Sequence, residues 1–247
     1  MYELVDFVVA ALLFCGAILY TSVGHAGASA YIAIMSLMGL PQATVKPTAL
    51  VLNILVASYS GRRYFQSGLF DKAVFFPLVI GAIPAAFIGG YLTISETLYK
   101  SLVGVVLIAS GIRFLLVRRD QKEREVKRPS FITAIFAGAV IGLLAGLTGT
   151  GGGIFLSPVL IFLAWTSTKG ASGTASLFIL VNSVSGLLGN ITSIEALPAT
   201  VPLYGCAVLL GAYIGTTFGI RYFSHIGVKR ALGVVLLIAG AKLALHL

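Results

Sequence analysis

Gly146-Leu147-Thr148-Gly149-Thr150-Gly151-Gly152-Gly153 sits inside Phe131–Thr168, an uncharged run too long for one bilayer crossing, which takes roughly 20 apolar residues. Glycine has little helix propensity, and three in succession do not stay helical without support. The run therefore reads as two helical pieces joined by an irregular stretch. Irregular backbone is tolerated at membrane depth only where protein or a watery cavity surrounds it. A second over-long run, Phe7–Val45, is broken in the same way by Gly24-His25-Ala26-Gly27-Ala28-Ser29. Helices are expected to restart at Ala28 and at Ile154.

Composition places the whole chain in a membrane. Of its 247 residues 58% are apolar and 10% charged, and the mean hydropathy is +1.01. Soluble domains carry about 25% charged residues. The 29 glycines keep no Gly-x-y register, and Cys15 and Cys206 are too few for a disulfide framework and lack metal-ligand spacing. A net charge of +9 invites a nucleic-acid reading, but the bases sit at the ends of apolar runs and in one cluster, Arg118–Arg128. That is the pattern of cytoplasmic loops under the positive-inside rule. No secretory signal is expected, since residues 1–10 contain Glu3 and Asp6 and no base.

The chain also repeats. Gly104-Val105-Val106-Leu107 recurs as Gly233-Val234-Val235-Leu236 at an offset of 129, Pro47-Thr48-Ala49 matches Gly173-Thr174-Ala175 at 126, and Pro77-Leu78 matches Pro202-Leu203 at 125. Each half reads as one broken segment followed by three spans, with residues 1–117 and 131–247 as repeats and 118–130 as a basic linker. If each broken segment is a hairpin that enters and leaves on one side, 14 bases fall on the linker side and 3 on the other. If each crosses once, the split is 11 against 6. The first topology is favoured. It puts the linker in the cytoplasm and both termini outside, and it inverts the second repeat. The expected fold is all-α and integral to the membrane: two inverted-topology repeats, each a broken re-entrant helical hairpin plus three transmembrane helices. Inverted repeats with broken helices are a recurring plan of secondary transporters.

A helix that restarts after a break presents unpaired N–H groups and about half a positive charge. Two such ends facing one midplane cavity favour an anion, and the glycines let it approach the main chain. The eight acids, Glu3, Asp6, Asp71, Glu96, Asp120, Glu123, Glu125 and Glu195, all lie at or near the ends of apolar runs or in the linker. Cation carriers and proton pumps commonly keep carboxylates at depth. The expected anion-binding residues are His25, Gly27, Ser29, Asn53, Thr148, Thr150, Gly151, Gly152, Gly153, Thr174 and Asn182. His25 is either a donor to the anion and a proton carrier, or a histidine bonded to a carbonyl in a tight turn. Asn53 and Asn182 either line the cavity or join helices. Lys46 and Lys169, each just before a Thr-Ala pair, are read as cationic lures at the pathway mouths or as lysines snorkelling to headgroups. A hydrolase built on His25 and Ser29 lacks an orienting acid. No catalytic group, metal site or cofactor is expected.

Gly149-Thr150-Gly151-Gly152-Gly153, then Pro158, then Ala171-Ser172-Gly173-Thr174-Ala175 resemble the glycine-rich and Gly-Thr-Ser signatures of the TauE/SafE sulfite-exporter family, also known as toluene-sulfonate uptake permeases. The resemblance spans nearly the whole chain. The first copy departs from it, with His25-Ala26-Gly27-Ala28 in place of a triple glycine and Pro47-Thr48-Ala49 in place of Gly-Thr-Ser. It implies a multi-pass carrier of the bacterial or archaeal inner membrane that moves sulfite, thiosulfate or small organosulfonates. The expected partners are a small anion, the lipid bilayer and a coupling proton or sodium ion, with no nucleic acid. The alternative is a channel or cation transporter of the same architecture. Oligomeric state is left open.

Overall fold

The computed structural model describes residues 3–116, 125–191, 197–221 and 226–245. Among these residues there are ten helices and no strand: α1 (Leu4–Thr21), α2 (Ala28–Leu37), α3 (Gln42–Gln66), α4 (Lys72–Tyr91), α5 (Glu96–Leu115), α6 (Phe131–Thr148), α7 (Gly153–Phe162), α8 (Thr168–Gly189), α9 (Val201–Arg221) and α10 (Ile226–Ala244). The breaks lie where the glycines put them, between α1 and α2 and between α6 and α7. Helix α2 restarts at Ala28 as expected, and α7 one residue before Ile154. Among the described residues five stretches are long and apolar enough to cross a membrane: α1, α4, α6, Gly170–Gly189 and Val201–Ile220. Phe76, Ile80, Phe136, Leu210 and Tyr213 stand on the outer surface of this bundle, where lipid would cover them.

Charged residues do not end helices where the apolar runs end. Pro47–Gly61 marks only the centre of α3, which continues through Lys46 at one end and Arg62 and Arg63 at the other. Lysine and arginine are good helix formers, and their long stems carry the charge toward water. Arg63 Nη1 donates to Tyr59 Oη at 2.8 Å, while Lys46 Nζ reaches the Gly90 carbonyl at 3.4 Å.

Pairs of helices meet along glycine seams. Helix α6 lies parallel to α4, with Gly138 against Leu78, Gly142 against Ala82 and Gly146 against Ala86. Helix α9 lies parallel to α1, with Gly211 against Phe14, Gly215 against Ile18 and Gly219 against Ser22. In most of these places a Cβ would run into a backbone carbonyl of the neighbour. Small residues allow this close approach, which supplies packing where lipid removes the hydrophobic drive between helices. Helices α3 and α8 run antiparallel: Leu50 meets Gly186, Asn53 meets Ser183 and Gly61 meets Leu177. So do α5 and α10, through Gly104 with Gly240 and Gly111 with Gly233.

Helix α2 folds back along α1, where Gly16 faces Ala30 and Ile34, and Ala28–Met35 are wholly buried. At one end of the bundle the Lys127 N–H donates to the Ala164 carbonyl at 2.7 Å. There too, Thr166 Oγ1 donates to Asp71 Oδ2 at 3.0 Å, beside a cleft of about 590 Å³ lined in part by Lys72 and Arg128. Tyr204 and Asp6, 3.4 Å apart, mark the other end. Arg118, Arg119, Asp120, Lys122, Glu123, Arg124 and Glu195 lie outside the described residues, as do the side chains of Glu96, Pro158, Lys169, Arg221 and Lys229.

Candidate functional site

Four helices are capped in the ordinary way. Asp71, Ser95, Ser130 and Ser167 each set a side-chain oxygen on an N–H of the helix that follows. The two helices that begin at the breaks are not. Their N-caps are Gly27 and Gly152, with φ of 107° and 84° and no side-chain cap. This left-handed backbone costs an L side chain about 1–2 kcal/mol, and glycine escapes it. The result is two buried helix N-termini without caps of their own.

Asn53, near the middle of α3, reaches one of them. Its Oδ1 accepts from the Ala28 N–H at 3.1 Å, and its Nδ2 donates to Ser183 Oγ of α8 at 2.9 Å. Gly151 of the second break lies against the same two side chains: a Cβ there would collide with the Asn53 amide and press on the Ser183 hydroxyl. The breaks are tied a second time by His25, whose Nε2 is 2.9 Å from Ser157 Oγ on α7. A Cβ on Gly153 would stand 3.4 Å from the same imidazole. The fold therefore brings the two interruptions together.

The first break is pinned to α8 by Ser176 Oγ donating to the Gly24 carbonyl at 2.9 Å, and to α3 by Tyr64 Oη donating to the Thr21 carbonyl at 2.8 Å. Several donors are left over. Among the described residues, the N–H groups of Gly27, Ser29, Ala30, Gly151, Gly152 and Gly153 meet no acceptor of hydrogen-bonding geometry. A buried donor left unmade costs about 1–3 kcal/mol. Asn182 is 1% exposed, and neither its Oδ1 nor its Nδ2 has a partner. It lies one turn from Phe178, whose ring borders Gly152, and one turn from Gly186, which faces Gly146. The described carboxylates stand elsewhere: Asp6 beside Tyr204, Asp71 beside Thr166, Glu3 at the start of α1, and Glu125 exposed.

The sequence-predicted residues divide into groups. His25, Gly27, Asn53, Gly151, Gly152 and Gly153 gather at the breaks. Ser29 is committed to α1, its hydroxyl donating to Tyr20 Oη at 2.9 Å. Thr148 Oγ1 donates to the Leu144 carbonyl of α6 at 2.7 Å, so across its 2.9 Å contact with Thr150 the latter is the donor, and both hydroxyl protons are taken. Thr174 stands apart, accepting from the Asp71 N–H at 3.1 Å where α3 connects to α4. Lys46 lies against Gly149, at the foot of the second break. Lys169 is on α8, its side chain outside those described. Ser157, Ser176, Ser183 and Tyr20 also hold the breaks. Their one sequence signal is polarity inside apolar runs, which serine shares with many packing positions.

The profile of a family described as "Sulfite exporter TauE/SafE" matches residues 8–243. The "Probable membrane transporter protein y4hK" of Sinorhizobium fredii (strain NBRC 101917 / NGR234) is 36% identical over 230 residues, which cover 92% of this chain and 93% of that protein. The "Probable membrane transporter protein MJ0441" of Methanocaldococcus jannaschii is 32% identical over 123 residues, 47% of this chain and 45% of its own length. A "Probable membrane transporter protein" of Xylella fastidiosa (strain Temecula1 / ATCC 700964) is 28% identical over 91 residues, 36% of this chain and 35% of its own. No solved structure matches the chain.

Proposed function

We propose, for a chain that belongs to the TauE/SafE sulfite exporter family, a secondary carrier that moves a small sulfur oxyanion across the cytoplasmic membrane. Sulfite, thiosulfate and organosulfonates make up the substrate class. The observation that carries this reading is the pair of buried helix N-termini, started by Gly27 and Gly152 and joined through Asn53 and the His25–Ser157 contact. Each brings about half a positive charge and unclaimed N–H groups to one place, with the described carboxylates elsewhere. Giving up water costs an oxyanion dearly unless several donors replace it. The glycine N–H groups and the Asn182 amide are donors of that kind. The site residues are His25, Gly27, Asn53, Gly151, Gly152, Gly153 and Asn182, with Lys46 at one mouth.

The fold is read as two inverted repeats, α1–α5 and α6–α10. The antiparallel pairs α3 with α8 and α5 with α10 support this, because each joins corresponding helices of the two halves. The exchanged pairs α4 with α6 and α1 with α9 support it too. Alternating access then rocks these elements about the joined breaks, with the linker in the cytoplasm and both termini outside. His25, Asn53 and Asn182 are buried, as a site occluded from both faces requires.

A thermal-shift screen in detergent with sulfite, thiosulfate, sulfate, taurine and sulfoacetate tests the reading. At least one sulfur anion is expected to raise the melting temperature, and flux of that anion is expected in proteoliposomes. A shift with sodium or nickel and none with any anion would instead favour the cation alternative. Replacing Gly152 by leucine, against Phe178, Ala145 and Ile141, is expected to abolish flux while the chain still inserts.

A further inference from the structure

We infer that the cleft at the linker end of the bundle binds the headgroup phosphate of an anionic phospholipid. The cleft, of about 590 Å³, is walled by three connectors: residues 68–71 between α3 and α4, Thr166 and Ser167 between α7 and α8, and the end of the linker at Arg128. Hydrogen bonds fix all three. The Lys127 N–H donates to the Ala164 carbonyl at 2.7 Å, which seats the neighbouring Arg128 beside the turn between α7 and α8. Thr166 Oγ1 donates to Asp71 Oδ2 at 3.0 Å, and the Asp71 N–H donates to Thr174 Oγ1 at 3.1 Å, which seats the start of α4 against the same turn.

Lys72 and Arg128 bring two positive charges into this space, both with exposed side chains. Among the described residues no carboxylate pairs with either of them. Asp71, the acid in the described wall, is already engaged, with Oδ1 accepting from the Ala73 N–H at 3.1 Å and Oδ2 from Thr166. Helix α4 starts at Lys72 and α8 at Thr168, so two dipole-positive ends add to the field of the two bases. A phosphodiester supplies the missing negative charge and offers the oxygens that an arginine fork and a lysine ammonium bind. It also relieves the repulsion between the two cations and so ties the start of α4 to the linker.

The surroundings select a lipid as the carrier of that phosphate. Phe76 follows Lys72 by one turn of α4 and is 58% exposed, and Ile132 follows Arg128 by four residues and is 79% exposed. Leu163, at the end of α7, stands on the outer surface as well. A headgroup in the cleft leaves its acyl chains to cover these side chains, which a soluble phosphate cannot do. Basic pockets between spans at the membrane surface are the usual place for anionic headgroups. The inference is independent of the substrate carried.

Purified full-length protein in mixed micelles of phosphatidylglycerol and phosphatidylcholine, read by native mass spectrometry, tests it. Wild type is expected to retain phosphatidylglycerol in preference to phosphatidylcholine. Lys72→Gln and Arg128→Gln are each expected to weaken that retention about fivefold, the worth of one base beside an anionic headgroup, and the double variant to lose the preference. Both side chains are exposed, so the variants should melt as wild type does in phosphatidylcholine alone. Arg62→Gln removes an exposed base at the same end of the bundle but outside the cleft wall, and it should leave the preference unchanged. Equal retention of the two lipids by wild type, or a loss in Arg62→Gln as large as in the cleft variants, overturns the site. Displacement of phosphatidylglycerol by excess inorganic phosphate at constant ionic strength gives the cleft to a soluble phosphate and overturns the lipid assignment. None of these results bears on the carrier reading, which stands or falls on sulfur-anion binding and flux.

Discussion

Asn53 and Asn182 are two amides at similar depth with opposite fates. Asn53 spends Oδ1 on the Ala28 N–H and an Nδ2 hydrogen on Ser183. Replacing it by alanine leaves both partners bare, at about 1–3 kcal/mol each, and the melting temperature in detergent should fall accordingly. Asn182 has no partner in its protein surroundings. Asn182→Leu should therefore raise the melting temperature, by an amount corresponding to about 1–3 kcal/mol, while lowering anion flux. A variant both less stable and fully active would remove Asn182 from the site. Both asparagines were legible in the sequence, because an amide inside a span is costly in lipid and stands out. Ser157 and Ser183 were not. A serine can bond the carbonyl one turn back, so its presence in a span says little until the partner across the interface is seen.

At the scale of elements, the glycines did most to make the fold readable. Gly27 and Gly152 announce a restart because they allow a left-handed N-cap, and both helices begin beside them. Other glycines carry a different message that periodicity does not reveal: Gly138, Gly142 and Gly146 mark the face on which α4 rests. Which helix uses a glycine stripe depends on the whole packing, so the pairing of α4 with α6 could not be read from either sequence. Gly142→Leu would drive a side chain into the Ala82 carbonyl. It is expected to abolish the monodisperse peak in size-exclusion chromatography, since overpacking commonly costs about 1–3 kcal/mol and the obstacle here is backbone. Val140→Ala, on the exposed face of the same helix, should leave that peak intact. Helix ends were the least legible feature. Lys46, Arg62 and Arg63 appeared to bound a span that in fact runs past them, because a charged head can reach a carbonyl, a phenol or water while its stem stays helical.

For the whole molecule, the distribution of bases gives an orientation that labelling can check. A cysteine at Lys127 in a chain lacking Cys15 and Cys206 should react with an impermeant thiol reagent only when the reagent reaches the cytoplasmic face. Reaction from outside would turn the molecule over. The order of elements, a broken pair and then three helices in each half, was legible because it follows from run lengths and glycine position. How the halves share their helices was not. Helix α4 leans on α6 and α1 on α9, so each seam is built from both sides of the linker. A chain cut between 117 and 131 would yield fragments bearing bare glycine grooves shaped for a helix that only the other fragment owns. Neither piece should accumulate by itself, both should when made together, and any body that tilts during a transport cycle must be assembled from the two halves of the chain.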